Sequence, residues 1–136
     1  MIITVSRKAH FNAAHRLFRP DWNAEKNNQI FGKCNNPNFH GHNYELIVSV
    51  TGPVDAETGY VIDMKVLAQI IETQIEDHLD HKNLNLDVPE FEHLIPTAEH
   101  IAYVIYNRIK PHLASNLNLE ITLYETPRNF VTYKGL

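Results

Sequence analysis

Three side chains able to ligate a metal lie close together in the segment FGKCNNPNFHGHNY, Phe31 to Tyr44. Cys34 is the only cysteine of the chain, and a His-x-His pair, His40 and His42, starts six residues after it. An apolar alternation follows the pair, so we expect it at the start of a β-strand, where side chains at i and i+2 share a face with Cα atoms roughly 6.5–7 Å apart. Two neutral imidazoles at that distance can bind one zinc ion, although two solvated histidines beside a loop give the same pattern.

A third histidine strengthens the interpretation of this pair as part of a metal site. The segment from Ile2 to Ala14 predicts a strand that closes at His15. His15 shares a face of that strand with Ala13, whereas His10 points to the opposite face. Three histidines with one open position are typical of a catalytic zinc, and a fourth ligand from Cys34 would instead make a closed structural site. Both interpretations stay open at this point.

Four residues could act as acids, bases or anchors. A cation near Cys34 would favour its thiolate, which could serve as a general base or nucleophile. The dipeptide Asp80-His81 follows an amphipathic helix and could orient a thiol. Glu125 ends a predicted strand and could accept two parallel N–H bonds from an amidine-like ligand edge. By spacing alone, an ordinary helix end and a solvated strand end are favoured for these last two positions.

The elements that must position these residues follow the order β-β-α-α-β-β, which predicts an α+β fold with two helices on one face of a mainly antiparallel four-stranded sheet. We find no repeat or linker and treat residues 1–136 as a single domain. Residues 16–39 read as a long polar loop, which in a compact domain is usually functional. The predicted strands are 2–14, 43–51, 119–123 and 130–134, and the predicted helices are 64–79 and one that opens at Pro96-Thr97 and ends at Pro111.

The composition excludes several classes of protein. With 136 residues, 43% of them hydrophobic, the chain can bury a real core. Its 12 basic and 16 acidic residues give a net charge of −4, which offers no broad positive field for nucleic acid or an anionic membrane. No apolar run approaches the ~18 residues of a membrane span, and no signal peptide is evident. A lone cysteine forms no internal disulfide, so we expect a cytoplasmic protein.

Four segments together resemble the 6-pyruvoyl-tetrahydropterin synthase family: HFNAAHRL, FGKCNNPNFHGHNY, LDHKNLNLDVP and LYETPRNFVTYKGL. The similarity runs from about Val5 to the C-terminus. The resemblance implies the tunnelling fold (T-fold), in which trimers close a barrel and two trimers stack into a homohexamer with active sites at subunit interfaces. It also implies conversion of 7,8-dihydroneopterin triphosphate to 6-pyruvoyl-tetrahydropterin with elimination of triphosphate. The chain shows no Gly-rich dinucleotide signature, and this internal redox reaction needs no nicotinamide.

The resemblance also implies a role for each candidate residue. The zinc (Zn2+) ligands would be His15, His40 and His42. The catalytic group, split across a subunit interface, would be Cys34, Asp80 and His81. The 2-amino-4-oxo edge of the pterin would be anchored by Glu125 and held with the help of Thr97.

Two departures from the family pattern bear on the product. Phe39 stands where the animal enzymes carry glycine, so we expect a different pocket wall. The stretch VIDM, Val61 to Met64, looks more like the 6-carboxy-tetrahydropterin synthases of the queuosine pathway, which release acetaldehyde with triphosphate from the same substrate. Those enzymes usually carry their cysteine closer to the first histidine of the pair than the six residues found here, so the spacing favours the pyruvoyl product.

Paralogues that cleave the side chain for folate synthesis have glutamate in place of the cysteine, and Cys34 argues against that branch. Two other classes of function stay open. A zinc hydrolase would act independently of Cys34. A non-catalytic, zinc-stabilised binding module would have a closed site of one cysteine and three histidines.

Overall fold

One five-stranded sheet organises the chain, and the computed structural model describes all of residues 1–136. The strands are β1 (Ile2–His15), β2 (His40–Pro53), β3 (Lys82–Asn83), β4 (Asn118–Tyr124) and β5 (Phe130–Tyr133). Their order across the sheet is β3-β1-β2-β4-β5, and all neighbours are antiparallel except β3, which runs parallel to β1.

The α+β architecture predicted from the sequence is confirmed, and all four predicted strands are present. The fifth strand, β3, was not predicted, because two residues are too few to show an alternation of apolar side chains. The second strand also begins earlier than predicted, at His40, because the antiparallel ladder continues through His40 and His42 to their partners on β1. The His-x-His pair therefore lies at the start of a strand, as expected, although the predicted bound of 43 is too late.

The inner face of the sheet carries the core. The side chains of Tyr44, Leu46, Val48 and Val50 alternate along β2 and are fully buried, as period-two patterning requires. They belong to a cluster of 23 buried hydrophobic residues. The helices of the chain are α1 (Ala24–Phe31), α2 (Met64–Ile71), α3 (Asp77–Leu79), α4 (Leu84–Asp87) and α5 (Ala98–Ile109), of which α2 and α5 pack on this sheet.

The predicted helix over 64–79 is present but interrupted. A π-helical turn, Glu72–Glu76, separates α2 from α3. Such a turn leaves a carbonyl free of the regular ladder, and here the Arg108 Nε of α5 donates to the Gln74 carbonyl over 2.7 Å. No helix of the structure combines the length and the apolar character needed to cross a membrane.

The expectation of a structureless loop over residues 16–39 is wrong. This segment holds α1 and a 3₁₀ turn, Gly32–Asn35. Asn23 caps α1 by accepting a hydrogen bond from the Lys26 backbone N–H over 2.8 Å, and the only buried residue of the helix is Asn27. A helix that buries an asparagine and no apolar stripe leaves no hydrophobic periodicity to read.

Candidate active site

The three histidines predicted to bind a metal come together at the end of the β1–β2 ladder. His15 pairs with His40, and Ala13 pairs with His42. The three imidazoles therefore project from the same face of the sheet. One ligand atom from each histidine lies within 4.8 Å of the other two. His10 is exposed on the opposite face of β1, as its parity predicted.

A backbone carbonyl fixes the tautomer of His15. The His15 Nδ1 lies 2.8 Å from the Pro96 carbonyl oxygen, which can only accept, so Nδ1 carries the proton and donates. The lone pair is then on Nε2, which is buried and has no hydrogen-bond partner. His40 Nδ1 is likewise buried and unpartnered. Two buried nitrogens without partners are costly unless something binds them, and a metal ion is the group that this donor set fits.

Burial keeps these imidazoles in the neutral form that a metal requires. Desolvation lowers the pKa of His15 from 6.5 to about 4, even though its hydrogen bond to Pro96 acts in the opposite direction. Desolvation also lowers the pKa of His40, with a contribution from the neighbouring His42 and some opposition from the carboxylate of Glu125. At neutral pH His15 and His40 therefore present lone pairs rather than positive charges.

Cys34 is not part of the cluster of ligand atoms. It sits half-buried in the 3₁₀ turn Gly32–Asn35, and its carbonyl accepts a hydrogen bond from the Leu17 N–H over 2.8 Å. This bond holds the turn against Leu17, which lies two residues after His15. The group of mutually close ligand atoms contains only the three histidines, an arrangement that leaves the thiol free for chemistry.

Asp80 and His81 form a pair directly before β3, the strand at one edge of the sheet. His81 Nδ1 lies 2.9 Å from an Asp80 carboxylate oxygen, and the other oxygen accepts from the Asn12 N–H over 2.9 Å. This backbone bond, and to a lesser extent His81, lowers the pKa of Asp80. His81 lines a cavity of about 520 Å³ together with His42. No hydrogen bond joins either residue to Cys34 within one chain.

Glu125 and Thr97 line a second cavity, of about 500 Å³. Glu125 is half-buried just after β4, where its N–H donates to the Asn129 carbonyl over 3.1 Å. Its negative charge also acts on β2. Burial is the main cause that raises the pKa of Tyr44, which follows His42 on the same face of β2, and the Glu125 carboxylate raises it further. Thr97 caps α5 by accepting from the His100 N–H over 3.3 Å. The structure thus brings both predicted pterin-binding residues to one cavity near the histidines.

Two features of the site were not found from the sequence. The Pro96 carbonyl that orients His15 is a backbone group 81 residues away, and no side-chain pattern marks it. A third cavity, of about 690 Å³, adjoins Pro96 and is lined by Arg16, Phe18 and Phe39 among others. The departure of Phe39 from the family pattern was its only signal.

Comparison with known proteins connects this geometry to one family. Residues 4–136 match the family model described as 6-pyruvoyl tetrahydropterin synthase. The chain is 43% identical to human 6-pyruvoyl tetrahydrobiopterin synthase over 131 residues, which cover 96% of this chain and 90% of the human protein. It is 31% identical to a 6-carboxy-5,6,7,8-tetrahydropterin synthase of Haemophilus influenzae over 150 residues, covering 96% of this chain and 97% of that one.

The fold gives the same result as the sequence. The structure of Caenorhabditis elegans 6-pyruvoyl tetrahydropterin synthase matches with a TM-score of 0.94 at 38% identity, covering 100% of this chain and 97% of that one. The chain has the tunnelling fold and belongs to the 6-pyruvoyl tetrahydropterin synthase family.

Proposed function

We propose that this enzyme converts 7,8-dihydroneopterin triphosphate to 6-pyruvoyl-tetrahydropterin with elimination of triphosphate, as a zinc-dependent carbon–oxygen lyase. The observation that carries the proposal is the cluster of His15, His40 and His42 beside the cavity of Glu125, in a chain 43% identical to human 6-pyruvoyl tetrahydrobiopterin synthase. Three neutral nitrogens and one open position are the ligand set of a catalytic zinc.

The zinc, held by these three histidines, would supply Lewis acidity toward the two side-chain hydroxyls of the substrate. The half-buried Glu125 carboxylate would accept the parallel N–H groups of the 2-amino-4-oxo edge, which orients the ring in its cavity. Thr97, which lines the same cavity, would restrict the position of the ring. Together these two residues would set which carbon of the side chain faces the bases.

Proton movement falls to Cys34 and to the Asp80–His81 pair. Cys34 would take a proton from a side-chain carbon as general base. His81, held 2.9 Å from the Asp80 carboxylate, would exchange protons as the second acid or base. The ring gains two hydrogens while the side chain is oxidised, and triphosphate leaves, so the redox change is balanced within the substrate.

The assembly that we propose is a homohexamer made of two trimers, with each active site at a subunit interface. The single chain leaves β3 and β5 as edges of the sheet, and an exposed edge is a ready site for pairing with another chain. Closing three sheets into a barrel would remove those edges and would bring the Asp80–His81 pair of one subunit toward another subunit. We place the enzyme in the cytoplasm, because its one cysteine is free and the reducing cytoplasm keeps thiols in that form.

The alternative within the family is a 6-carboxy-tetrahydropterin synthase, which would release acetaldehyde with triphosphate. The stretch Val61 to Met64 and the 31% identity to the Haemophilus influenzae enzyme favour it. The separation of Cys34 from His40 and the higher identity to human 6-pyruvoyl tetrahydrobiopterin synthase favour the pyruvoyl product.

Mass spectrometry of the products formed from 7,8-dihydroneopterin triphosphate tests the proposal. We expect a 6-pyruvoyl product and triphosphate without acetaldehyde. Stoichiometric acetaldehyde would move the chain to the carboxy branch. Release of neither triphosphate nor acetaldehyde would refute both and favour the zinc hydrolase or the binding module.

A further inference from the structure

Phe39 has a backbone conformation that bulky residues rarely adopt. Its φ of 67° lies in the left-handed region, where a Cβ is disfavoured, and His81 is the only other non-glycine residue there. Residues held in such conformations occur preferentially at functional sites, where the surrounding structure maintains them. His81 already belongs to the proposed catalytic group. Phe39, which directly precedes the metal-site residue His40, has no role in the mechanism described above.

The left-handed conformation of Phe39 connects a turn to the start of β2. The Phe39 N–H donates to the Asn36 carbonyl over 3.0 Å and closes the turn, and the next residue, His40, begins the strand. The Phe39 side chain is thereby half-buried on the wall of the cavity of about 690 Å³. A glycine would make the same turn with less strain and would leave that wall without a ring.

The same cavity holds a fixed and unpaired positive charge. The guanidinium of Arg16 stacks on Phe18, 4.1 Å from the ring centroid, and its Nε donates to the Asn35 carbonyl over 2.8 Å. Arg16 takes part in no salt bridge, whereas the other arginine of the cavity, Arg19, pairs with Asp21. A rigid guanidinium without a carboxylate partner is suited to bind a phosphate group.

The cavity also borders the histidine cluster. Pro96 lines it, and the Pro96 carbonyl is the group that accepts a hydrogen bond from His15. The adjacent residue, Thr97, lines the other cavity with Glu125. A ligand whose ring edge binds at Glu125 and whose middle lies at the histidines therefore has this cavity available for its far, anionic end.

We propose that Phe39 is a specificity-determining residue, whose ring walls the cavity that receives the triphosphate end of the substrate and keeps water from the Arg16–phosphate contact. The proposal rests on the proposed function for the identity of the substrate. Excluding water lowers the local dielectric and strengthens the attraction between guanidinium and phosphate. Phe39 thus favours a phosphorylated pterin over the same pterin without phosphates.

The test uses two unreactive, fluorescent ligands, neopterin and neopterin triphosphate, titrated into zinc-loaded protein. Phe39→Gly and Phe39→Ala both remove the ring, but only alanine keeps a Cβ in the left-handed conformation, so their thermal midpoints should differ. We expect both variants to lose about tenfold in affinity for neopterin triphosphate, as for the loss of one wall of an apolar site, while neopterin binding and zinc content stay unchanged. Leu86→Ala, at an exposed position of the same cavity, is the matched control and should bind both ligands as the wild type does.

Four results would overturn the proposal. The first is a wild-type protein that does not prefer neopterin triphosphate to neopterin. The second is unchanged triphosphate affinity in both variants, and the third is an equal loss of neopterin affinity, which would assign the ring to the heterocycle end. The fourth is weakening by alanine but not by glycine, which would assign the effect to backbone strain. The proposed function fails separately, if the wild type releases no triphosphate from the dihydro substrate, because the binding titrations need no turnover.

Discussion

His15 owes its suitability as a metal ligand to a partner distant in the sequence. Strand parity was enough to predict that His15 and His10 lie on opposite faces of β1, so that only His15 can join a site with His40 and His42. The register of β1 with β2 agrees with this. Parity could not predict that the Pro96 carbonyl accepts a hydrogen bond from the Nδ1–H of His15, because a backbone carbonyl has the same chemistry at every residue. The roles of these residues in binding and catalysis stay predictions.

The first prediction separates the metal ligands from the base. Cys34→Ala should keep roughly one zinc per subunit and lose about 10²–10⁴-fold in turnover, the usual cost of removing a general base. His40→Ala should instead lose the metal, because two histidines alone hold it weakly. Metal content by atomic emission, paired with a triphosphate-release assay, measures both effects.

The control for this prediction is His10→Ala, which removes a histidine from the exposed face of β1 and should leave the metal bound. Loss of zinc from Cys34→Ala to the same extent as from His40→Ala would contradict the prediction. The thiolate would then be a fourth ligand of a closed site, and the proposed mechanism would fail.

A second prediction concerns the pterin anchor. Glu125→Gln removes a charge-assisted, two-bond contact and should weaken pterin binding by about 1.5–3 kcal/mol, measured by fluorescence titration with neopterin. Zinc content should not change. Glu120→Gln on β4, where the carboxylate faces Lys134 instead of the cavity, is the control and should bind normally. Unchanged affinity in Glu125→Gln would refute the anchor.

At the scale of elements, the long regular segments could be predicted and the short irregular ones could not. Apolar alternation gave the strands of the sheet, and helical spacing gave α2 and α5. The two-residue β3 carries too little pattern, and the π-helical turn Glu72–Glu76 depends on a side chain of another helix, Arg108. The position of Asp80 depends on the π-helical turn and on β3, because Asp80 lies between the interrupted helix and β3.

The contact that holds this interrupted helix is a half-buried polar network around Glu90. His78 Nε2 lies 2.8 Å from one carboxylate oxygen, and Arg108 donates to the other over 3.0 Å. Burial alone would raise the pKa of Glu90, but the hydrogen bonds from His78 and Arg108 outweigh it and lower the pKa below the usual 4.5. The charged form of Glu90 is therefore the form that stabilises the fold.

The third prediction follows from the sign of this shift. Because the pKa is lowered on folding, the contribution of Glu90 to stability is present above 4.5 and is lost as the pH falls through the folded-state pKa. Glu90→Gln should reduce the free energy of unfolding by about 1–3 kcal/mol at neutral pH. The difference from wild type should shrink as the pH falls below 4.5, measured by urea denaturation on either side of that value. A difference independent of pH would show that the charge of Glu90 is not what stabilises the network.

At the scale of the whole molecule, the single chain brings together the three histidines that could hold a metal but not the residues of the proposed catalytic group. The three histidines converge within 4.8 Å, and Glu125 and Thr97 share one cavity beside them. Cys34 lies on a turn that is bonded to Leu17, whereas Asp80 and His81 are bonded to Asn12 of β1. Residues that act together but do not meet within a subunit are expected to meet between subunits, and a closed symmetric ring of sheets repeats the same junction at every interface.

The last prediction tests this sharing of the site. Cys34→Ala and His81→Ala should each be nearly inactive as homo-oligomers. When the two variants are unfolded, mixed in equal amounts and refolded together, random assembly should give about one quarter of the sites an intact Cys34 from one subunit and an intact His81 from its neighbour. Triphosphate release should therefore return to roughly a quarter of the wild-type rate. Mixing without unfolding is the control, because it leaves the assemblies unexchanged. A refolded mixture as inactive as its parents would mean that both residues act within one subunit. Activity of His81→Ala on its own would show instead that His81 is not needed.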